Sequence, residues 1–253
     1  MLHTRDLRAW YGRTQALFGV DLSVNEGEVL ALVGTNGAGK STIIRALLGL
    51  VETRGEVFHD QTPIADWPTH RRIRRCAVAV LHEERCLFGE LTVTENMLLG
   101  LPRSARRRLD EVAAAFPIVA DRSQSRVSML SGGQRQLVAL ARMVIAEPRY
   151  VLLDEPTLGL SPAMVDEVYE HLGVLTEMGI GVLLVEQNIN RARSVADRLQ
   201  LVAAGRTAPP IDAQDLEAVT RLEKQAFGAG EVESGFTELT GVDTHGSSRK
   251  AQE

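Results

Sequence analysis

The residues with the clearest chemical meaning form the sequence GTNGAGKS, from Gly34 to Ser41. It fits the pattern G-x-x-x-x-G-K-[ST], in which glycines allow the backbone N–H groups to surround a phosphate. In such a loop Lys40 reaches the β- and γ-phosphates, and the Ser41 hydroxyl ligates Mg²⁺. The pattern therefore predicts a site for a nucleoside triphosphate with its magnesium ion. The predicted nucleotide-binding residues here are Gly34, Thr35, Asn36, Gly37, Ala38, Gly39, Lys40, Ser41 and Thr42.

A strand and a helix are expected to position this loop. Residues 29–33 are consecutively apolar, which is typical of a buried strand. Residues 42–48 have a helical composition, and Gly49 is a suitable residue to end the helix. The helix dipole would add positive potential at the loop. These flanks disfavour the alternative of a glycine-rich turn with an accidental Lys-Ser pair.

Two acids end another apolar stretch, at Asp154 and Glu155. Asp154 is a candidate to hold Mg²⁺ through water, and Glu155 to orient or deprotonate a water that attacks the phosphate. An isolated Asp-Glu pair at a strand end usually faces solvent. Beside a phosphate loop, the pair instead predicts hydrolysis of the bound nucleotide.

A further motif, LSGGQ at 130–134, predicts the start of a long helix. Ser131 and Gln134 have the spacing of a capping box, which leaves Gly132 and Gly133 unexplained. A helix N-terminus with bare glycines is an anion site, and one nucleotide pocket does not need a second one. Two facing copies would need it. We therefore predict that Ser131, Gly132, Gly133 and Gln134 contact the phosphate of a facing protomer.

Composition limits the classes of function. The chain has 253 residues, 44% of them hydrophobic, and a formal net charge of −5, so we expect a soluble protein without a nucleic-acid partner. Short arginine runs at 71–75 and 103–108 are interpreted as solvated faces. Cys76 and Cys86 are too few for a disulfide framework, which favours a reduced, cytoplasmic setting. We see no signal peptide and no membrane-spanning stretch, so any service to a membrane is expected from outside the bilayer.

Alternating strands and helices predict an α/β fold with a mainly parallel sheet. Before residue 30 we expect short strands at 2–7 and 15–24, with Trp10 and Tyr11 between them. Tyr11 is either a core residue or one that stacks on a base. The segment 229–253 is rich in Gly, Ser, Thr and Glu, and is expected to be a disordered tail. Buried strands are predicted at 28–33, 76–81, 150–155 and 181–186.

The order of these motifs resembles the ATP-binding subunit of ABC transporters over about residues 2–205, with VLLDEP at 151–156 and VLLVEQ ending at Gln187. The resemblance implies a P-loop NTPase core, a small antiparallel β lobe and an inserted helical lobe at about 84–128. Together these would form one ABC-type ATPase domain over 1–228. It also implies ATP and Mg²⁺ as cofactors, Tyr11 as the residue that stacks on adenine, and 158–162 as the loop that links two protomers.

Two positions depart from the common pattern. Glu83 replaces the Gln that senses Mg²⁺ and the γ-phosphate, and Gln187 replaces the strand-end His that contacts the γ-phosphate. Glu83 remains a candidate cation ligand and Gln187 a candidate donor to phosphate, but neither can switch between neutral and cationic forms as His does. Both exchanges resemble the ATPases of branched-chain amino-acid uptake systems and related urea or amide importers. So do LTVTEN at 91–96, GLSP at 159–162 and VEQN at 185–188.

The resemblance implies an ATP-hydrolysing subunit on the cytoplasmic face of the cell membrane that powers an importer of branched-chain amino acids or a related small amide or amino acid. The expected partners are membrane-spanning permease subunits and a second ABC ATPase subunit, in a heterodimer rather than a homodimer, with a solute-binding protein acting indirectly. Two alternatives stay open. One is a soluble ABC-type ATPase of DNA repair or translation, which the acidic charge disfavours. The other is a non-catalytic ATP-binding scaffold, against which Lys40, Glu155 and the intact LSGGQ count.

Overall fold

The structure is a computed structural model that describes residues 1–81 and 87–227. Its strands are β1 (Leu2–Tyr11), β2 (Thr14–Val24), β3 (Val29–Val33), β4 (Glu52–His59), β5 (Thr62–Pro63), β6 (Val78–Leu81), β7 (Tyr150–Asp154), β8 (Gly181–Glu186), β9 (Arg198–Ala203), β10 (Arg206–Thr207) and β11 (Ile211–Asp212). Its helices are α1 (Lys40–Leu48), α2 (Thr69–Cys76), α3 (Val93–Leu98), α4 (Leu109–Ala115), α5 (Ile118–Asp121), α6 (Gly132–Val144), α7 (Pro162–Glu177), α8 (Ile189–Arg193) and α9 (Leu216–Phe227), with 3-10 turns at Arg103–Arg108 and Val127–Met129.

A mainly parallel sheet forms the centre of the molecule, in the order β10-β9-β3-β8-β7-β6, with β11 also on β9. Strands β9, β3, β8, β7 and β6 run parallel, so their carboxyl ends lie along one edge. Every residue of β3 and β8 is buried, because both faces of the sheet are covered. Ala31 and Val33 pack on the side of α6 and α7, whereas Leu30 and Leu32 pack on the side of α1.

A second, antiparallel sheet has the order β2-β1-β4-β5 and packs beside α1. Trp10 and Tyr11, predicted to lie between two short strands, are instead the last residues of β1. Tyr11 pairs with Thr14 across a tight turn at Gly12, whose φ of 58° suits glycine. Because the turn takes so few residues, both strands extend up to it. The predicted antiparallel lobe is therefore present, with longer strands than expected.

Two further sequence predictions need correction in the region of α2. Cys76 was expected to begin a strand but ends α2, because Ala77 takes a positive φ of 50° and β6 starts after it. Arg72 was expected on a solvated face but is 3% exposed. Its guanidinium donates hydrogen bonds to backbone carbonyls at the end of α1, and these contacts hold the side chain away from solvent.

The helical lobe contains α3, α4, α5 and the two 3-10 turns. Residues 82–86, which include Glu83 and Cys86, and the predicted tail at 229–253 lie outside the described residues. Within residues 1–81 and 87–227, no helix has both the length and the hydropathy needed to cross a membrane.

Candidate functional site

The glycine loop lies where the sequence predicts it, between β3 and α1. Gly34 is needed for packing, because a Cβ atom there would lie 2.1 Å from the carbonyl oxygen of Val202. Lys40 begins α1 and is only 5% exposed, with its ammonium donating to the carbonyl oxygens of Gly34 at 2.8 Å and Thr35 at 3.1 Å. Burial lowers the pKa of Lys40, against the opposing attraction of Glu155. The cation is therefore held inside the loop, where a phosphate would be bound.

The two predicted acids reach this loop from the end of β7. The Ser41 hydroxyl donates to Asp154 Oδ1 at 2.9 Å, and Glu155 Oε1 lies 3.9 Å from Lys40 Nζ. Glu155 has a positive φ of 49°, and its backbone N–H donates to Val185 in β8. The backbone turn beyond β7 thus directs the Glu155 side chain toward the phosphate loop.

Gln187 follows β8 and completes the group. Its side-chain Nε2 lies 2.9 Å from each carboxylate oxygen of Glu155. Residues from the carboxyl ends of β3, β7 and β8 therefore meet at one edge of the parallel sheet, which is where ligands bind in open α/β sheets.

These side chains line a pocket of about 690 Å³. Its lining also includes residues from the antiparallel sheet and from the turn after β9, which the sequence did not indicate: Gln15, Ala16, Phe18, Ala204 and Gly205. Phe18 is 38% exposed, and its backbone N–H donates to Gly205 at 2.8 Å, so the wall depends on contacts between distant parts of the chain. The signal that the sequence offered was an aromatic residue, Phe18, within the strand predicted at 15–24.

Tyr11 lies near this pocket but is not among the residues that line it. The side chain is 42% exposed, and its hydroxyl oxygen accepts from Arg45 Nη1 at 3.0 Å and lies 3.4 Å from Thr42 Oγ1. Its role as the residue that stacks on adenine therefore stays a prediction, and Phe18 is a second aromatic candidate.

The LSGGQ motif starts α6, as predicted. Ser131 Oγ accepts from the Gln134 backbone N–H at 3.2 Å, and Gln134 Oε1 accepts from the Ser131 N–H at 3.1 Å, which completes the capping box. Ser131 and Gly132 are exposed, whereas Gly133 is buried against Met164. The motif does not line the pocket of its own chain.

The oxygen atoms of Ser41 and Asp154 suit magnesium, which proteins usually hold through one or two oxygen side chains together with phosphate. In the described part of the chain, no group of three or more His, Cys, Asp and Glu side chains forms a metal site by itself. The predicted third ligand, Glu83, lies outside that part. Ser41 and Asp154 thus fit a metal ion that is bound together with the phosphates of a nucleotide.

A glycine loop, a buried lysine and two acids at the edge of a parallel sheet define a phosphate-loop nucleotide hydrolase. Residues 17–158 match the sequence profile described as ABC transporter. The chain is 35% identical over 211 residues to the high-affinity branched-chain amino acid transport ATP-binding protein BraG of Pseudomonas aeruginosa. The aligned region covers 81% of this chain and 90% of that protein. The chain belongs to the ABC transporter family. It is an ATP-binding subunit of that family and an ATPase, as predicted.

Other relatives differ in their transport systems. The probable branched-chain amino acid transport ATP-binding protein LivF of Archaeoglobus fulgidus is 32% identical, over 90% of this chain and 99% of its own. The lipopolysaccharide export system ATP-binding protein LptB of Haemophilus influenzae is 33% identical, over 88% and 96%. A solved nucleotide-free ATP-binding cassette of an ABC transporter has a TM-score of 0.79 at 21% identity, over 95% and 98%, which confirms the predicted fold class.

Proposed function

We propose that this chain is the ATP-hydrolysing subunit of an importer for branched-chain amino acids or a related small amide or amino acid, working on the cytoplasmic face of the cell membrane. The observation that carries the hydrolytic role is the position of Glu155, whose carboxylate contacts Gln187 Nε2 at 2.9 Å and lies 3.9 Å from Lys40 Nζ. A general base must lie beside the water that attacks the phosphate. Glu155 lies beside Lys40, the residue that would hold that phosphate.

Each residue then has a distinct task. The loop N–H groups and Lys40 bind the phosphates, and Glu155 accepts the proton of the attacking water. The Gln187 amide holds the Glu155 carboxylate and is a donor to the γ-phosphate. Ser41 and, through water, Asp154 would hold Mg²⁺, which neutralises charge that develops on the phosphates.

A second ATPase subunit is proposed to complete the site. Ser131 and Gly132 present an exposed helix N-terminus away from their own pocket, which fits contact with a nucleotide bound by a partner. Leu158, 57% exposed just after Glu155, lies in the proposed linking loop. The resemblance to the ATPases of branched-chain amino-acid uptake systems favours a related but different ATPase subunit as this partner.

An apolar groove offers a docking surface for the permease subunits. It has a volume of about 450 Å³ and lies between β6, α6 and the helical lobe. Phe88 is 56% exposed and Leu99 40% exposed on its walls. Apolar grooves of this kind receive the apolar face of a short helix, such as one in a cytoplasmic loop of a membrane protein. A solute-binding protein would then act only through the permease.

The proposed cargo class rests on the relatives BraG and LivF and on the sequence features at 159–162 and 185–188. The match to LptB supports a second candidate function, in which the same ATPase powers lipopolysaccharide export. The two candidates share the hydrolytic site and differ in the membrane proteins that the chain binds.

The Glu155→Gln variant tests hydrolysis and pairing together. We expect it to bind ATP as the parent does, to lose turnover by at least about 100-fold and to form a dimer in ATP and Mg²⁺, measured by light scattering. Glu170→Gln, an exposed position on α7, is the matched control. Hydrolysis by Glu155→Gln at the parent rate would contradict the proposal.

The trapped variant also serves to find the membrane partners, by purification in mild detergent with mass spectrometry of bound proteins. We expect two multi-span membrane proteins and a second ATPase, and stimulation of the parent ATPase by leucine and its binding protein once all are reconstituted. Recovery of lipopolysaccharide export proteins would favour the second candidate. Recovery of ribosomes or DNA-repair factors would contradict both.

A further inference from the structure

Glu186, the last residue of β8, is a buried carboxylate that the proposed hydrolysis does not use. It is 6% exposed and is not among the residues that line the nucleotide pocket. A buried carboxylate is costly unless several donors satisfy it. The donors around Glu186 therefore indicate what the side chain does.

Three donors from separate elements converge on this carboxylate. Oε1 accepts from the Thr157 hydroxyl and from the Tyr169 hydroxyl, each at 2.8 Å, and Oε2 accepts from the Gln187 backbone N–H at 3.2 Å. Burial and the adjacent carboxylate raise the pKa of Tyr169, so its phenol keeps the proton that it donates. A carboxylate has acceptor sites for all three donors, which a neutral amide side chain does not have in the same places.

The donors belong to the segments that carry the hydrolytic residues. Thr157 lies two residues after Glu155 in the same loop, and Gln187 directly follows Glu186. Tyr169 lies in α7 and is 6% exposed, so its ring is fixed by packing. Glu186 thus ties the end of β8 to the loop after β7 and anchors both to α7.

We propose that Glu186 is a positioning residue for ATP hydrolysis: anchored by Tyr169 and Thr157, it fixes the backbone of Gln187 so that the Gln187 amide meets the Glu155 carboxylate. The inference rests on the proposed function, because it takes Glu155 as the group that activates water. Gln187 Nε2 contacts both oxygens of Glu155 at 2.9 Å, a geometry that a small rotation of the strand end would break.

Tyr169→Phe is the sharpest single change, because it removes one hydroxyl and leaves the ring and two donors to Glu186 in place. We expect kcat to fall about tenfold or more, since small misplacements of catalytic groups have effects of that size, while the Kd for ATP stays within about twofold. Tyr150→Phe is the matched control. That tyrosine is also buried and donates to a glutamate, Glu26 at 3.2 Å, but at the opposite end of β7.

Introducing Tyr169→Phe into the Gln187→Ala variant distinguishes a positioning role of Glu186 from a general effect of the substitution on packing. If Glu186 acts through Gln187, Tyr169→Phe should lower kcat by less than about twofold once Gln187 is gone, because coupled residues are not additive. The inference is overturned if Tyr169→Phe leaves kcat unchanged, if Tyr150→Phe lowers kcat as much, or if the losses from Tyr169 and Gln187 multiply.

Glu155→Gln, assayed beside these variants, separates failure of the inference from failure of the proposed function. Parent-rate hydrolysis by Glu155→Gln overturns the proposed function and, with it, the positioning role. Loss of turnover in Glu155→Gln together with parent-rate hydrolysis by Tyr169→Phe overturns the positioning role alone.

Discussion

At the scale of single residues, the contact between Ser41 Oγ and Asp154 Oδ1 at 2.9 Å joins the phosphate loop to β7. We expect Ser41→Ala to raise the Mg²⁺ concentration for half-maximal ATPase activity about tenfold, because one oxygen ligand and a hydrogen bond to a charged group are lost. A magnesium titration at saturating ATP measures this. Ser194→Ala is the control, since that hydroxyl donates only to the Arg191 carbonyl. Equal magnesium dependence in both variants would contradict the assignment.

Single residues also show what a sequence can and cannot predict. The meeting of the phosphate loop with Asp154 and Glu155 was predictable because the chemistry fixes their types and spacing, whereas their roles stay predictions. The sequence identifies Glu186 only as part of a strand-end motif. Its contact with Tyr169 was not predictable, because Tyr169 belongs to a helix whose packing cannot be deduced from residue spacing. Phe18 was missed as a pocket residue for the same reason, since its neighbour Gly205 is distant in sequence.

At the scale of elements, one guanidinium joins α2 to α1. Arg72 donates to the carbonyl oxygens of Ala46 at 2.9 Å and Leu47 at 2.8 Å, in the last turn of α1, and to Trp67 at 2.9 Å. Carbonyls in the last turn of a helix lack partners within the helix. Arg72 supplies donors there, in addition to the Gly49 backbone N–H that donates to Ala46 at 3.0 Å. Arg72 is almost fully buried, and this burial lowers the pKa of its guanidinium.

We expect Arg72→Gln to lower the free energy of unfolding by about 2–4 kcal/mol, because the carbonyls of Trp67, Ala46 and Leu47 each lose a buried charged donor. Urea unfolding measures the change. Arg75→Gln, on the exposed side of the same helix, should shift it by no more than about 0.5 kcal/mol. Equal losses of unfolding free energy in the two variants would mean that helix propensity, rather than the buried contacts of Arg72, accounts for the change in stability.

Elements with strong apolar runs were predictable, and those defined by turns were less so. β3, β7 and β8 lie within about a residue of their predicted bounds because they are buried on both faces. The extended β1 was not foreseen, because an irregular register near Asp6, which has a positive φ of 45°, interrupts the alternation that identifies a strand. The pairing partner, not the local sequence, keeps that strand continuous.

At the scale of the whole molecule, Arg149 links the two sheets at the end remote from the pocket proposed for the nucleotide. Its guanidinium contacts Glu26 and Asp60, and the amino group of Met1 also contacts Asp60. The hydrogen bond from Arg149 lowers the pKa of Glu26, and the contact with the chain's amino group lowers the pKa of Asp60. Both acids are thus held in their charged forms in the folded protein.

A depressed folded-state pKa contributes stability above the unfolded-state value, about 4, and loses it as pH falls through the folded-state value. We therefore expect Arg149→Gln to lower the urea midpoint at pH 7, modestly because these side chains are 38–49% exposed, and the difference from the parent to shrink below about pH 4. Arg221→Gln, which breaks an exposed ion pair with Glu217, is the control. A difference that stays constant with pH would contradict this linkage.

The pocket proposed for the nucleotide draws its walls from both sheets, with Gln15 and Phe18 on one side and Asp154 and Gln187 on the other. A nucleotide that fills this pocket would contact both sheets. Occupancy would therefore favour chains in which the two sheets are docked, by an amount that grows with the logarithm of the ATP concentration. The ATP concentration in the cell would then influence the fraction of chains that are unfolded and open to proteolysis. Chains without bound ATP would be degraded faster than chains that hold it.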